Sequence, residues 1–158
     1  MKASLKLGAF LPYRINRLAE RVSSSLADVY ARRFQISVAQ WRVLATLKEH
    51  PGMGVNAVAR RTNMDKVKVS RAVSGLEERK YLRRKPSAED GRALELRLSP
   101  QGRRLFHAIE PLALEWEGHL LDMLGSAEKA RLLDLLNRLE EGMDAFDSLP
   151  SSFNPGVN

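Results

Sequence analysis

Cysteine is absent from the 158-residue chain, which excludes disulfides, thiolate metal sites and thiol-based redox sensing within it. Long apolar runs are missing as well. No stretch is long enough to span a bilayer, and the alternating basic and apolar residues at the N-terminus precede no small-residue cleavage site. A cytoplasmic protein with no membrane partner is therefore expected. Catalytic signals are also scarce. Of the three histidines, His50 lies in a turn before Pro51, and His107 and His119 stand twelve residues apart on one helix, none tied by spacing to a nucleophile. No glycine loop of the kind that cradles phosphates occurs, so neither an enzyme nor a cofactor is expected.

What the chain has in excess is positive charge, unevenly distributed. Residues 57–97 hold 12 Lys and Arg against 6 Asp and Glu, so this one stretch carries +6 of a net +7. Residues 1–56 carry a further +6, and residues 98–158 carry −5. A basic cluster on one motif is the electrostatic footprint of a duplex-DNA binder; a solvated charged face is the bland alternative, and charge alone does not separate them. Opposite signs at the two ends favour terminal helices lying together, within one chain or across two. At 44% hydrophobic and 28% charged, the length suits one globular unit with specialised ends.

Periodicity supplies the elements. Leu11, Ile15, Leu18, Val22, Leu26 and Val29 recur at spacings of three and four, which predicts a long helix over 9–33 that also carries Arg14, Arg17 and Arg21. Ser37 with Gln40 has the form of a capping box, and Trp41, Leu44 and Leu47 continue a helix to about Glu49, where His50-Pro51-Gly52 ends it. A brief helix over 56–62 and a turn at Thr62-Asn63-Met64 follow. Asp65 is a suitable N-cap for a helix reaching about Lys80, with Val69, Val73 and Leu76 as its buried stripe. Lys66, Val67, Lys68, Ser70, Arg71 and Ser74 then face outward, mostly in the first half, where a recognition helix meets base edges and phosphates. An outward Val67 is odd on a solvated helix and reasonable against a thymine methyl.

Residues 82–86 and 93–98 read as a hairpin, with Leu94, Leu96 and Leu98 pointing inward, Glu95 and Arg97 outward, and Asp90-Gly91-Arg92 in its charged tip. Ser99-Pro100 opens a helix through Leu105, Ile109, Leu112, Leu120 and Leu124, with Pro111 as a kink site. Ser126 begins a last helix bearing Leu132, Leu135, Leu136, Leu139, Met143 and Phe146, a stripe broad enough to bury against a partner helix. The order helix, turn, helix, strand, tip, strand is that of a winged helix-turn-helix, so the fold class is mainly α with a small β-wing.

These residues resemble the MarR family of bacterial transcription regulators over nearly the whole chain. The resemblance rests on Val58-Ala59-Arg60-Arg61-Thr62, on Asp65-Lys66 with Val69-Ser70-Arg71, and on Leu76-Glu77-Glu78-Arg79-Lys80-Tyr81-Leu82-Arg83-Arg84. The specific part is Asp90-Gly91-Arg92 followed by Leu98-Ser99-Pro100-Gln101-Gly102, which looks like the family's wing signature. The resemblance implies a homodimer, with dimerisation helices at 1–36 and 100–148 and a DNA-binding domain at 37–99; the tail 149–158 is expected to be disordered from its Pro, Ser, Asn and Gly content. The resemblance also implies docking on a palindromic operator, most simply as a repressor, with Lys66, Lys68, Ser70 and Arg71 at the major groove; Val67 and Ser74 join the expected DNA contacts through their outward position on the helix. Arg92 would enter the minor groove, oriented by Asp90. Lys80 departs from the pattern, because many relatives place Gly there. A non-Gly residue must accept a left-handed cap or end the helix differently.

The resemblance further implies a small anionic, often aromatic, effector, and the basic first helix leaves open a larger polyanionic one such as an acyl-coenzyme A thioester. The candidates are Tyr13, Arg14, Arg17, Arg21, Trp41 and Arg42, since Arg can hold a carboxylate or phosphate and the aromatics supply apolar contact. Trp41 at a core position, and arginines paired with the acidic C-terminal helices, are the structural alternatives. Glu115, His119 and Asp122 share one helix face, but polar residues on amphipathic helices often fall this way, and no metal is expected. Competing functions are a winged-helix protein-interaction module facing an acidic partner and a nonspecific architectural DNA binder.

Overall fold

The capping box anticipated at Ser37 is present. The Ser37 hydroxyl accepts from the Gln40 amide at 3.2 Å and the Gln40 side chain accepts from the Ser37 amide at 3.0 Å, which starts α2 (Val38–Glu49). The structure, a computed structural model, describes residues 5–86 and 94–147, with side chains to 143. Asp90 and Arg92 at the hairpin tip, the tail 149–158 and the Phe146 side chain lie outside the described residues.

Before α2, a single turn of 3₁₀ helix (Leu7–Ala9) leads into α1 (Leu11–Phe34), which begins two residues later than the spacing predicts, with Pro12 in its first turn. Only the C-terminal half of α1 meets the core: Tyr30 is buried and Leu26 and Val29 pack against it, whereas Leu11, Ile15 and Leu18 are 54%, 45% and 60% exposed. Gln35, at φ +56°, turns the chain so that Ile36 enters the core ahead of α2.

Helices α3 (Val55–Thr62) and α4 (Lys66–Glu78) form the helix-turn-helix, joined through Asn63 at φ +48°, a residue that tolerates the left-handed region. Val69, Ala72, Val73 and Leu76 of α4 fall at the spacing of one helix face, and all are buried against Val43, Leu44, Leu47 and Val58. Each fully buried Val or Leu contributes about 1.5–3 kcal/mol, so this face fixes the rotation of α4 and hence what it presents to solvent.

α4 ends at Glu78, two residues before the predicted end, and Lys80 stands at φ +60°. The Lys80 amide donates to the Glu77 carbonyl and the Tyr81 amide to the Leu76 carbonyl, both at 2.8 Å, which is a Schellman closure with lysine in the position usually held by glycine. The chain then enters β1 (Leu82–Pro86), which pairs antiparallel with β2 (Leu94–Leu98) in the register Leu82↔Leu98 to Pro86↔Leu94. Leu96 and Leu98 point into the core as predicted. Leu94 does not; it is 50% exposed, because at the last described pair the ribbon has run past the helices that could cover it. Glu95 and Arg97, expected outward, are half-buried. A further rung, invisible in the spacing, comes from Gly52 and Met53: the Gly52 amide donates to the Leu96 carbonyl and the Leu96 amide to the Met53 carbonyl, both at 3.0 Å.

Ser99 caps α5 (Pro100–Leu121), accepting from the Gly102 amide at 2.9 Å. Leu105, Phe106 and Ile109 complete the core, and the Trp116 indole donates to the Ser25 hydroxyl at 3.2 Å, joining α5 to α1. Pro111 is accommodated within α5, and Leu124 lies in the turn after it. The chain divides into two compact units, Met1–Trp116 and Glu117–Asn158. The second contains the end of α5 and α6 (Ser126–Asp147), whose Leu132, Leu135, Leu136, Leu139 and Met143 are all exposed. Among the described residues, no helix is long and apolar enough to cross a membrane.

Candidate nucleic-acid interface

The outward face of α4 is set from its first residue. Asp65 is the N-cap, its carboxylate accepting from the Lys68 amide at 2.7 Å, which orders the turn carrying Lys66, Val67 and Lys68. With the opposite face locked into the core, Lys66, Val67, Lys68, Arg71 and Ser74 are exposed and Ser70 is half-buried. Val67 is 58% exposed, so a β-branched apolar side chain stands among three cations with no core contact to justify it. Val67, Lys68 and Arg71 line a crevice of about 540 Å³ with Asp65 and, from α2, Ser37, Ala39 and Gln40. The contribution of α2 to this surface escaped sequence reasoning; the capping box marked the right residues but only for their role in starting a helix.

The basic residues of the motif are not equivalent. Arg79 is structural: its guanidinium donates to the Phe34 carbonyl at 2.9 Å and the Gln35 carbonyl at 2.5 Å and lies 4.9 Å from the centre of the Tyr81 ring, tying the end of α1 to the start of the ribbon. Arg84 makes a two-pronged pair with Glu77 at 2.8 and 3.0 Å, and this hydrogen-bonded carboxylate raises the guanidinium's pKa, with burial acting against it. Arg97 pairs with Glu95 at 2.8 Å. Lys66, Lys68 and Arg71, together with exposed Arg60 and Arg61 on α3, are the cations turned to solvent on the helix-turn-helix.

The candidate effector residues are brought together only in part. Arg14, Arg17 and Arg21 line a shallow cavity of about 440 Å³ on α1 with Leu11, Ile15 and Leu18, and Tyr13 is exposed outside that lining. Trp41 is elsewhere, stacked between Tyr30 and Phe106 with ring centroids 5.5 Å away on each side. Arg42 donates to the Ser23 hydroxyl at 3.0 Å, joining α2 to α1. Trp41 thus belongs to an aromatic stack of three elements, whose other members, Tyr30 and Phe106, carry no signal in the spacing beyond being apolar. Burial raises the Tyr30 pKa above its ordinary value, with the charge of Arg42 acting in the opposite sense. His119 Nδ1 lies 3.8 Å from Asp122 Oδ2, and among the described residues no three His, Asp or Glu side chains converge as a metal site requires.

A helix-turn-helix whose second helix is capped, rotated by its core face and followed at once by a β-ribbon defines a winged helix-turn-helix protein. The chain matches the model of the MarR family over residues 34–93, from the end of α1 to the edge of the second strand. It is 28% identical over 97 residues, 61% of its length, to a Thauera aromatica protein assigned as the transcriptional regulator of the hcr operon, and the match spans 58% of the length of that curated relative. Among solved structures, it is similar to a MarR/EmrR family regulator from Acinetobacter sp. ADP1, at a TM-score of 0.81 and 29% identity, covering 89% of this chain and 99% of the other. It is also similar to the repressor CouR bound to a 23-mer DNA duplex, at a TM-score of 0.74 and 27% identity over 87% of this chain and 99% of CouR.

Proposed function

We propose that the protein is a homodimeric, sequence-specific DNA-binding transcription regulator acting as a repressor. The observation that carries this reading is the outward face of α4: Val67 held in solvent between Lys66, Lys68 and Arg71, on a helix whose rotation is fixed by four buried residues. Lysine and arginine there suit phosphates and guanine edges, and an apolar methyl-bearing side chain suits thymine. The exposed leucines of α1 and α6 supply the apolar surface that a dimer would bury, and CouR, of similar fold, is a repressor that binds duplex DNA. Arg92, oriented by Asp90, would complete each half-site from the minor groove.

The three arginines on α1 support release by a small anionic ligand, an aromatic acid or an acyl thioester, whose carboxylate or phosphates they would hold. Ligand binding would favour a dimer in which the two recognition helices no longer match the half-site spacing. The decisive experiment is selection of bound duplexes from a random-sequence pool at physiological salt. An inverted repeat with half-sites about 10 base pairs apart supports the reading. Bound DNA without an enriched sequence would point instead to an architectural binder, and no bound DNA would refute both.

A further inference from the structure

At the root of the β-ribbon, away from the outward face of α4, a second cationic site is present. A cavity of about 270 Å³ is lined by Lys48 from the end of α2, Arg83 from β1, Arg97 from β2 and Arg103 from α5, with Leu47 and Leu98 among its apolar wall. Arg83 and Arg97 are directly opposite one another in the strand register. Like charges in that arrangement repel, and a sheet tolerates them at a cost unless something of opposite sign lies between. Glu95 answers one of the four cations, bonding Arg97 at 2.8 Å. Arg103 is held in place by a bond from Nη1 to the Leu98 carbonyl at 3.1 Å, which leaves most of its donor fork unused. Among the described residues the Arg83 side chain makes no hydrogen bond or ion pair, and Lys48 has only the Phe106 ring, 6.0 Å from its ammonium.

The backbone is shaped around this group. Gly52 stands at φ +94° beside it, and a Cβ there would come within 3.1 Å of both Arg97 Nη2 and Glu95 Oε2. The same glycine donates its amide to Leu96, so one turn both extends the ribbon and leaves room for the Arg97–Glu95 pair. Four cations from four elements, three of them unanswered by a carboxylate among the described residues, around a cavity large enough for a tetrahedral oxyanion, form a site matched in charge and geometry to a phosphate group.

We propose that this wing-root cavity binds a phosphate group through Lys48, Arg83, Arg97 and Arg103. The site is independent of the recognition helix and does not require the proposed DNA function. Its phosphate has two sources, a DNA backbone phosphate flanking the operator or a free phosphorylated small molecule, and the experiment separates them. The full-length protein is titrated with inorganic phosphate against chloride at matched ionic strength, following both phosphorus NMR line broadening and the thermal midpoint, for wild type, Lys48→Gln, Arg83→Gln and the Arg138→Gln control on α6. Saturable binding, weakened about tenfold or more by Lys48→Gln and Arg83→Gln and unchanged by Arg138→Gln, is the expected result. No binding by the wild type, or equal binding by all four proteins, overturns the proposal. Should Arg83→Gln not fold, Arg83→Lys keeps the charge and loses the planar fork, and weaker phosphate binding by that variant is expected in its place. Given phosphate binding, a drop of about 0.9 in the slope of log affinity against log salt for duplex DNA in Lys48→Gln assigns the site to the DNA backbone. An unchanged slope assigns it to a free phosphorylated compound.

Discussion

The Ser99 hydroxyl donates to the Lys80 carbonyl at 2.6 Å while it accepts from the Gly102 amide at 2.9 Å. One side chain therefore joins the turn after α4 to the start of α5, and the Ser99 amide adds a bond to the Tyr81 carbonyl at 2.9 Å. Gly102 is required for this approach, since a Cβ there would sit 2.0 Å from the Tyr81 oxygen. Ser99→Ala removes a helix cap and leaves the Lys80 carbonyl without its donor. It is expected to lower stability by about 1–2 kcal/mol, measured by urea unfolding, and Ser99→Thr is expected to retain most of it. A variant as stable as the wild type would show that this link is replaceable by water.

Lys80 holds a left-handed conformation that costs a side-chain-bearing residue about 1 kcal/mol and costs glycine nothing. Lys80→Gly is thus expected to stabilise the protein by about 0.5 kcal/mol or more, after allowing for the greater freedom glycine gains in the unfolded chain. Lys80→Val, β-branched at the same φ, is expected to lose more than 1 kcal/mol. Destabilisation by the glycine variant would mean that the lysine side chain contributes a contact that outweighs its backbone strain.

α4 and its N-cap were legible because the information is local: Asp65 announces the helix, and Val69, Val73 and Leu76 repeat at its period. At Lys80 a conflict was legible but its outcome was not. How the chain leaves the helix at Lys80 depends on Ser99, which arrives from the far side of the ribbon and bonds the Lys80 and Tyr81 carbonyls. The same distance in sequence hides the Tyr30–Trp41–Phe106 stack and the Gly52–Leu96 rung, each built from segments with no mutual periodicity. Leu94 was misplaced for a related reason: alternation says which face a strand residue shares, and how far the core extends beneath that face is a tertiary fact. The six effector candidates were gathered from the first two helices by position and residue type, and Arg14, Arg17 and Arg21, spaced on one helix, share a cavity, whereas Trp41 is stacked in the core.

Tyr30 links pH to stability. Burial raises its folded pKa above the unfolded value of 10.0, so the unfolded chain loses the phenolic proton first as pH rises. The contribution is fully present below pH 10.0 and is lost as pH climbs from there toward and through the folded pKa. Other tyrosines and lysines titrate in the same range, so the comparison is between wild type and Tyr30→Phe, which keeps the ring against Trp41. The difference in unfolding free energy between the two is expected to be constant from pH 7 to 9 and to shift against the wild type above pH 10.0. A constant difference to pH 11 would show that the hydroxyl is solvated in the folded protein.

Arg71 and Val67 test whether α4 reads sequence. Arg71 lies six residues beyond the Asp65 cap, exposed and on the crevice it shares with Val67, so a bidentate contact to guanine would be worth about 1–3 kcal/mol at one base pair and little elsewhere. Arg71→Ala is expected to weaken binding to the selected operator by that amount, to relax preference at a single position, and to change binding to random duplex far less. Val67→Ser is expected to act at a thymine, with a smaller penalty that disappears when that thymine is replaced by uracil, since both remove the same methyl contact. Arg60→Ala on α3, by contrast, should weaken specific and random DNA alike and reduce the salt slope by about 0.9, as a phosphate contact does. Equal losses on operator and random duplex for Arg71→Ala would place it with Arg60 among the phosphate contacts and leave Val67 as the only base-reading candidate whose chemistry cannot be served by a phosphate.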